Sequence, residues 1–182
     1  MESKKDIRKR VLNIRNLLEK EEWEERSDKI MKAVAAHPFF LKADEIYCYV
    51  DFRKEVATKK LIEEAWKLSK KVAVPKIEDG TMNFYYIESM EELTTGYYGI
   101  LEPKSKKAAN GNQVLVIMPG SVFDKERNRI GYGKGYYDRY LAVHPDYHTI
   151  AIAFDFQVLD EIPTDAYDIK PEVLITEDKV YA

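Results

Sequence analysis

Val114-Leu-Val-Ile-Met118 is an unbroken apolar run, and no other segment limits the possible folds as tightly. A strand with one wet face alternates apolar and polar residues. A run without alternation suits a strand covered on both sides, as in a parallel sheet clad by helices. This run ends at Pro119-Gly120 and passes through a charged loop to Gly131-Tyr-Gly-Lys-Gly135, after which Gly135–Val143 reads as a helix. Strand, glycine-rich loop and helix in that order predict an α/β architecture.

The rest of the chain agrees. Ile7, Val11, Ile14 and Leu18 recur at helical spacing behind Ser3, which pairs with Asp6 as a helix cap. A second helix is expected from about Glu21 to Ala36, stopped by His37-Pro38. Glu45–Val50 reads as a strand, Thr58–Ser69 as a helix and Lys71–Pro75 as a strand ended by its proline. That order implies a parallel pair with a crossover helix. Further strands are expected at Met82–Ile87, His148–Phe154 and Val173–Thr176, with a loop from Ser89 to Gln113 whose polar stretch Lys104–Asn112 is mobile. The expectation is one domain over residues 1–182, a three-layer Rossmann-like α/β fold with a mostly parallel sheet flanked by helices.

Composition narrows the function. Apolar residues are 45% and aromatic residues 12% of the chain, enough for a packed interior. A formal charge of -3 argues against a nucleic-acid binder, and the Tyr85-Tyr86 and Tyr136-Tyr137 pairs lack the basic surface that base stacking would accompany. The single cysteine, Cys48, excludes an intrachain disulfide and reads as a small core residue. His37, His144 and His148 are too dispersed for a metal site. No stretch reaches the apolar length of a membrane span, and the amino terminus is charged from Glu2 onward, so a cytoplasmic protein without membrane partners is expected.

The chemistry concentrates after Met118. In parallel α/β sheets ligands bind beyond the carboxyl ends of the strands, and glycines there let backbone N–H groups approach an anion. Arg129 and Lys134 bracket the loop and are read alike, as surface cations aimed at phosphate. Asp138 lies one turn into the helix, where its carboxylate can reach a magnesium ion bridging phosphate oxygens. The spacing is neither a Walker A loop nor a dinucleotide G-x-G-x-x-G. The glycines alone are equally compatible with a tight turn carrying solvated charges.

The longer string Arg129-Ile-Gly-Tyr-Gly-Lys-Gly-Tyr-Tyr-Asp-Arg139 resembles the signature of the 5-formyltetrahydrofolate cyclo-ligase (5,10-methenyltetrahydrofolate synthetase) family. Lys4-Lys-Asp-Ile-Arg8, Tyr98-Gly-Ile-Leu-Glu-Pro103 and Met118-Pro-Gly120 match three further family blocks in the same order. The resemblance implies a ligase of folate and one-carbon metabolism. Its reaction converts 5-formyltetrahydrofolate to 5,10-methenyltetrahydrofolate with ATP as co-substrate and Mg²⁺ as cofactor, releasing ADP and phosphate. The formyl oxygen attacks the γ-phosphate, N10 closes onto the activated carbon, and phosphate leaves.

By that resemblance Lys4, Arg8, Arg129, Gly131, Tyr132, Gly133, Lys134, Gly135, Tyr136 and Tyr137 bind ATP. Val50, Glu55, Tyr98 and Tyr137 line the folate pocket, Asp138 holds the metal, and Arg129, Lys134 and Tyr98 serve the reacting groups. The chain departs from the family in two places. Pro171, beside Glu172, stands where an acidic residue shortly after Asp168 often helps bind metal, and Arg127 stands where a turn glycine is common. The partners implied are small molecules acting on a monomer. Two alternatives stay open at this point: another enzyme on a similar scaffold, such as a sugar-phosphate isomerase or CoA transferase, and a non-catalytic phosphate-ligand sensor.

Overall fold

The computed structural model describes residues 1–182. Helix α1 (Lys4–Asn16) starts where expected, with Ser3 Oγ accepting from the Asp6 N–H at 3.1 Å. Helix α2 (Lys20–Ala36) ends at His37, and Pro38 opens a short α3 (Pro38–Lys42) from the first helical position, where its missing N–H costs nothing. Then follow β1 (Glu45–Cys48), α4 (Lys59–Lys67), β2 (Lys71–Glu78) and β3 (Thr81–Ile87). A hairpin, β4 (Leu93–Thr95) with β5 (Leu101–Pro103), precedes β6 (Val114–Met118), β7 (Val122–Asp124) and β8 (Arg129–Ile130). The chain finishes with α5 (Tyr136–Ala142), β9 (His148–Ile152), β10 (Val158–Leu159), β11 (Val173–Ile175) and β12 (Val180–Tyr181).

Seven strands form one sheet in the order β12-β11-β9-β6-β1-β2-β3. The five inner strands run parallel, and the edge strands β3 and β12 are antiparallel. Successive residues alternate between the two faces. Ile46, Cys48, Leu115 and Ile117 pack with α2, α3 and α4, whereas Tyr47, Val114, Val116 and Met118 pack with α5. The unit β1-α4-β2 steps one way along the sheet and β6-α5-β9 the other. Right-handed crossovers stepping in opposite directions place their helices on opposite faces. The result is the three-layer α/β fold, and β1 and β6, adjacent and parallel, mark where the direction of winding reverses.

Four expectations need correction. Pro75 does not end β2 but pairs opposite Phe84 in mid-strand. β2 pairs with β1 only as far as Ala73, so from Pro75 onward one edge is free and the missing N–H breaks no ladder bond. Ser89–Gln113 is not one loop, because it contains the β4-β5 hairpin. Nor is Lys104–Asn112 loose: Tyr86 N–H donates to Lys107 O at 3.0 Å, Ala109 N–H to Phe84 O at 2.8 Å, and Gly111 N–H to Tyr47 Oη at 2.8 Å. On α1, Ile14 is exposed and Arg15 is buried. β7, β8 and β10 form a small second sheet that the sequence reading lacks, and Ile7 and Val11 pack α1 onto its Val122 and Ile130.

Candidate active site

Where winding reverses, the chains leaving β1 and β6 diverge and a crevice opens at the strands' carboxyl ends. A cleft of about 1100 Å³ lies there. One wall is Pro119 with the segment Arg129–Arg139, and the other includes Tyr49, Val50, Phe52, Arg53 and Glu55 with the tip of the β4-β5 hairpin. The face of α1 bearing Lys4, Arg8, Leu12 and Arg15 borders both.

The glycine-rich loop keeps its shape through left-handed backbone at Gly133 (φ 97°) and at Gly135 (φ 67°), the residue that starts α5. Because α5 has seven residues, the positive potential comes from side chains and loop N–H groups more than from a helix dipole. Arg8 Nε donates to Gly131 O at 2.9 Å, tying α1 to the loop. Lys134 is exposed and in no ion pair, while its carbonyl accepts from Arg139 Nη1 at 2.7 Å. Lys4 Nζ lies 2.7 Å from both Asp165 Oδ2 and Asp168 Oδ2. Partial burial lowers the Lys4 pKa, but these two carboxylates outweigh it and raise the value.

Arg129 differs from the expectation. It is buried rather than a surface cation, its Nε donating to Pro119 O at 2.7 Å and its guanidinium lying 5.4 Å from the centroid of the Tyr137 ring. Burial pulls its pKa down, with Asp138 and Tyr137 opposing. A side chain at Gly131 would put a Cβ 3.2 Å from Nη1 and Nη2, so the glycine leaves the guanidinium room beneath the loop. Tyr137 is buried too, and its hydroxyl has no hydrogen-bond partner in the protein although the residue lines the cleft.

On the opposite wall, Glu55 is not a free loop carboxylate. Its Oε1 accepts from the Phe52 N–H at 2.9 Å, and its own carbonyl accepts from Trp23 Nε1 at 2.8 Å. Arg53 and Lys54 are left-handed, at φ 48° and 60°, and Lys54 Nζ caps the carbonyl of Asn16 at 2.9 Å. Burial raises the Glu55 pKa to about 7, with Arg15, the Tyr132 hydroxyl and the Phe52 N–H pulling it back. Val50 is buried at the root of this segment. Tyr98 sits on the hairpin tip with φ 55°, 70% exposed.

Every residue singled out from the sequence therefore lines one cleft: Lys4, Arg8, Val50, Glu55, Tyr98, Arg129 and the stretch Gly131 to Asp138. The profile of the 5-formyltetrahydrofolate cyclo-ligase family matches residues 1–177. The chain belongs to that family. A Schizosaccharomyces pombe protein named "Probable 5-formyltetrahydrofolate cyclo-ligase" is 34% identical over 174 residues, covering 85% of each chain. The NMR structure of Aquifex aeolicus 5,10-methenyltetrahydrofolate synthetase superposes with a TM-score of 0.86 at 35% identity, over 97% of this chain and 91% of that one. The synthetase from Mycoplasma pneumoniae gives 0.78 at 26% identity, over 97% and 99%. No helix of this cyclo-ligase family member is long and apolar enough to cross a membrane.

The two departures from the family motifs have local explanations. Glu172 is turned to the surface, its Oε1 lying 3.0 Å from His148 Nδ1, so it does not replace the acid absent at Pro171. Arg127 takes the turn conformation of a glycine, at φ 68°, with Asp124 Oδ1 accepting from the Glu126 and Asn128 N–H groups across the turn. Sequence reasoning missed Arg15, Asp165 and Asp168 as cleft residues. For Arg15 a signal existed, since it follows Val11 by one helical turn on the face that carries Arg8.

Proposed function

We propose that the chain converts 5-formyltetrahydrofolate to 5,10-methenyltetrahydrofolate, consuming ATP and releasing ADP and phosphate. The observation that carries this reading is the cleft at the reversal of strand order, with a cation-lined glycine loop on one wall and a pinned, half-buried glutamate on the other. Its volume of about 1100 Å³ lies just above the roughly 300–1,000 Å³ usual for ligand sites, which suits large substrates.

The loop N–H groups, Lys134, Arg8 and Lys4 hold the triphosphate, and Arg129 presents its guanidinium from below. Glu55 accepts hydrogen bonds from N–H groups of the reduced pterin ring, with Val50 and Tyr98 bounding the same pocket. The formyl oxygen then attacks the γ-phosphorus as the bond to ADP breaks. N10 adds to the activated carbon, and the C–O bond breaks to expel phosphate, which takes up the proton that N10 loses. Such a transfer needs alignment and charge neutralisation more than a protein nucleophile, and the cleft holds cations and donors suited to that.

For magnesium the donor set fits in a limited way. Asp138 Oδ1 is occupied by the Ile169 N–H at 2.9 Å, while Oδ2 makes no hydrogen bond in the protein. No three acidic or imidazole groups cluster for a metal. Mg²⁺ bound to phosphates commonly takes one or two protein carboxylates and completes its shell with water, so Asp138 is the residue that would hold it, and the ion would supply neutralisation of phosphate charge. The test is a continuous near-ultraviolet absorbance assay for methenyltetrahydrofolate with 5-formyltetrahydrofolate, with and without Mg-ATP. Product that forms only with Mg-ATP is the expected result. No product above blank, in protein that still binds ATP, refutes the folate chemistry.

A further inference from the structure

The two walls of the cleft are joined by one side chain. Tyr132 stands between Gly131 and Gly133, and its hydroxyl donates to Glu55 Oε2 at 2.9 Å. The same hydroxyl accepts from Arg15 Nη1 at 2.9 Å. Arg15 is 4% exposed, makes no ion pair within 4.0 Å, and leaves its buried Nε without a partner. The guanidinium lies 5.9 Å from the Tyr132 ring centroid. Arg15 thus reaches Glu55 through this hydroxyl.

Proton counting fixes the direction of the chain. A guanidinium only donates, an ionised carboxylate only accepts, and a phenol carries one proton. With Arg15 donating to the Tyr132 oxygen, the phenolic proton is left for Glu55, and that bond is strongest when Glu55 is ionised. From this geometry we infer that Tyr132 is a positioning residue that favours the ionised form of Glu55 and aims it into the cleft, so that ordering the glycine loop on a nucleotide strengthens binding of the second substrate at Glu55. The inference rests on the function proposed above for the identity of the two ligands, though not for the Tyr132–Glu55 link. Any such coupling is reciprocal, so the second substrate tightens nucleotide binding by the same factor.

The groups facing Glu55 are Arg15 from α1, Tyr132 from the loop, and the Phe52 N–H, Asp51 and other members of its own turn; α2 contributes the Trp23 N–H to its carbonyl. Burial brings the carboxyl to about pH 7, where losing one donor changes its ionised share most. Removing only the hydroxyl, in Tyr132→Phe, keeps a ring that is already 43% exposed, while buried Arg15 loses its hydrogen-bond partner at Nη1, an effect common to Y132F and its E55Q counterpart. If ionisation becomes tenfold harder, the ionised share at pH 7 falls from about half to about a tenth, so KM for 5-formyltetrahydrofolate rises roughly five-fold. By pH 9 both proteins are ionised and the two KM values converge.

The experiment measures that KM at pH 7 and pH 9 for the unaltered protein, Y132F and E55Q. A Y132F defect that vanishes by pH 9, with an E55Q defect that does not, is the expected result. A Y132F defect equal at both pH values, or none at pH 7, overturns the inference. A ligand-free arm separates this from the proposed reaction. From the ordinary value of 4.5 up to about 7 the folded state keeps a proton on Glu55 that the unfolded chain has lost. Stability from this group is therefore full below pH 4.5 and falls as pH rises through that window. The difference in unfolding free energy between each protein and its E55Q counterpart, followed from pH 4 to 9, traces that fall. Its end should move to higher pH in Y132F. A shift without folate turnover preserves the link and removes the proposed reaction, and an unmoved curve removes the link.

Discussion

Arg129 and Lys134 look equivalent in the sequence, and the structure predicts that they behave in opposite ways when truncated. Arg129→Ala deletes a buried guanidinium, the Nε bond to Pro119 O at 2.7 Å, and a stacking contact 5.4 Å from the Tyr137 centroid. A hydrogen bond from a charged donor contributes about 1.5–3 kcal/mol, and its loss leaves the Pro119 carbonyl unpaired. A desolvated cation over an aromatic ring adds about 1–2 kcal/mol. Against these stands the cost of burying the charge, visible in the lowered pKa, which the variant recovers. The net loss is about 2–4 kcal/mol, within the range for breaking a buried polar network. For a chain of this length, at about 2–4 °C per kcal/mol, that corresponds to a fall in Tm of about 5–15 °C. Lys134→Ala removes an exposed cation in no ion pair and should change stability by less than about 0.5 kcal/mol while weakening turnover. Thermal and guanidinium unfolding followed by circular dichroism, beside the absorbance assay, give both quantities. Equal midpoints for the two variants would refute the assignment of Arg129 as a buried support of the loop.

Other perturbations test neighbouring parts of the structure. Gly120→Ala would put a Cβ 2.4 Å from Cζ of Phe123, whose ring is fully buried, so overpacking should cost about 1–3 kcal/mol; a urea midpoint unchanged from the parent's would show that the ring can yield. Cys48 is fully buried and its thiol pKa is pushed far up by burial, so alkylation by iodoacetamide at pH 8 should be negligible in native protein and complete after unfolding. Rapid labelling of the folded protein would contradict that burial. Asp138→Asn should raise the Mg²⁺ concentration required for half-maximal activity without altering the fold, since the amide oxygen can still accept from Ile169 N–H. An unchanged Mg²⁺ titration would take Asp138 out of the metal site.

Much of this architecture is legible one residue at a time. The apolar run at Val114–Met118 implied a strand covered on both faces, and its residues indeed divide between α4's layer and α5's. Ser3 announced the start of α1 through a contact only three residues long. The small sheet of β7, β8 and β10 left no such trace, because strands of two or three residues are too short for a period to show. Pro75 misled for a related reason: whether a proline breaks a strand depends on whether a neighbour lies along that edge, and β1 stops pairing at Ala73.

The same division holds at the cleft. The sequence by itself determined which residue types were available: cations at Lys4, Arg8, Arg129 and Lys134, glycines permitting left-handed backbone, and acids at Glu55 and Asp138. Their membership of one motif series follows from order along the chain and needs no coordinates. Only the tertiary structure decided which cations are buried and which are free. It also set the Glu55 carboxyl to about pH 7 and joined Arg15, Tyr132 and Glu55, residues 117 and 77 positions apart in successive links, into one hydrogen-bonded chain. Burial and hydrogen bonding are properties of neighbours in space, and the reversal of winding between β1 and β6 makes these distant segments neighbours.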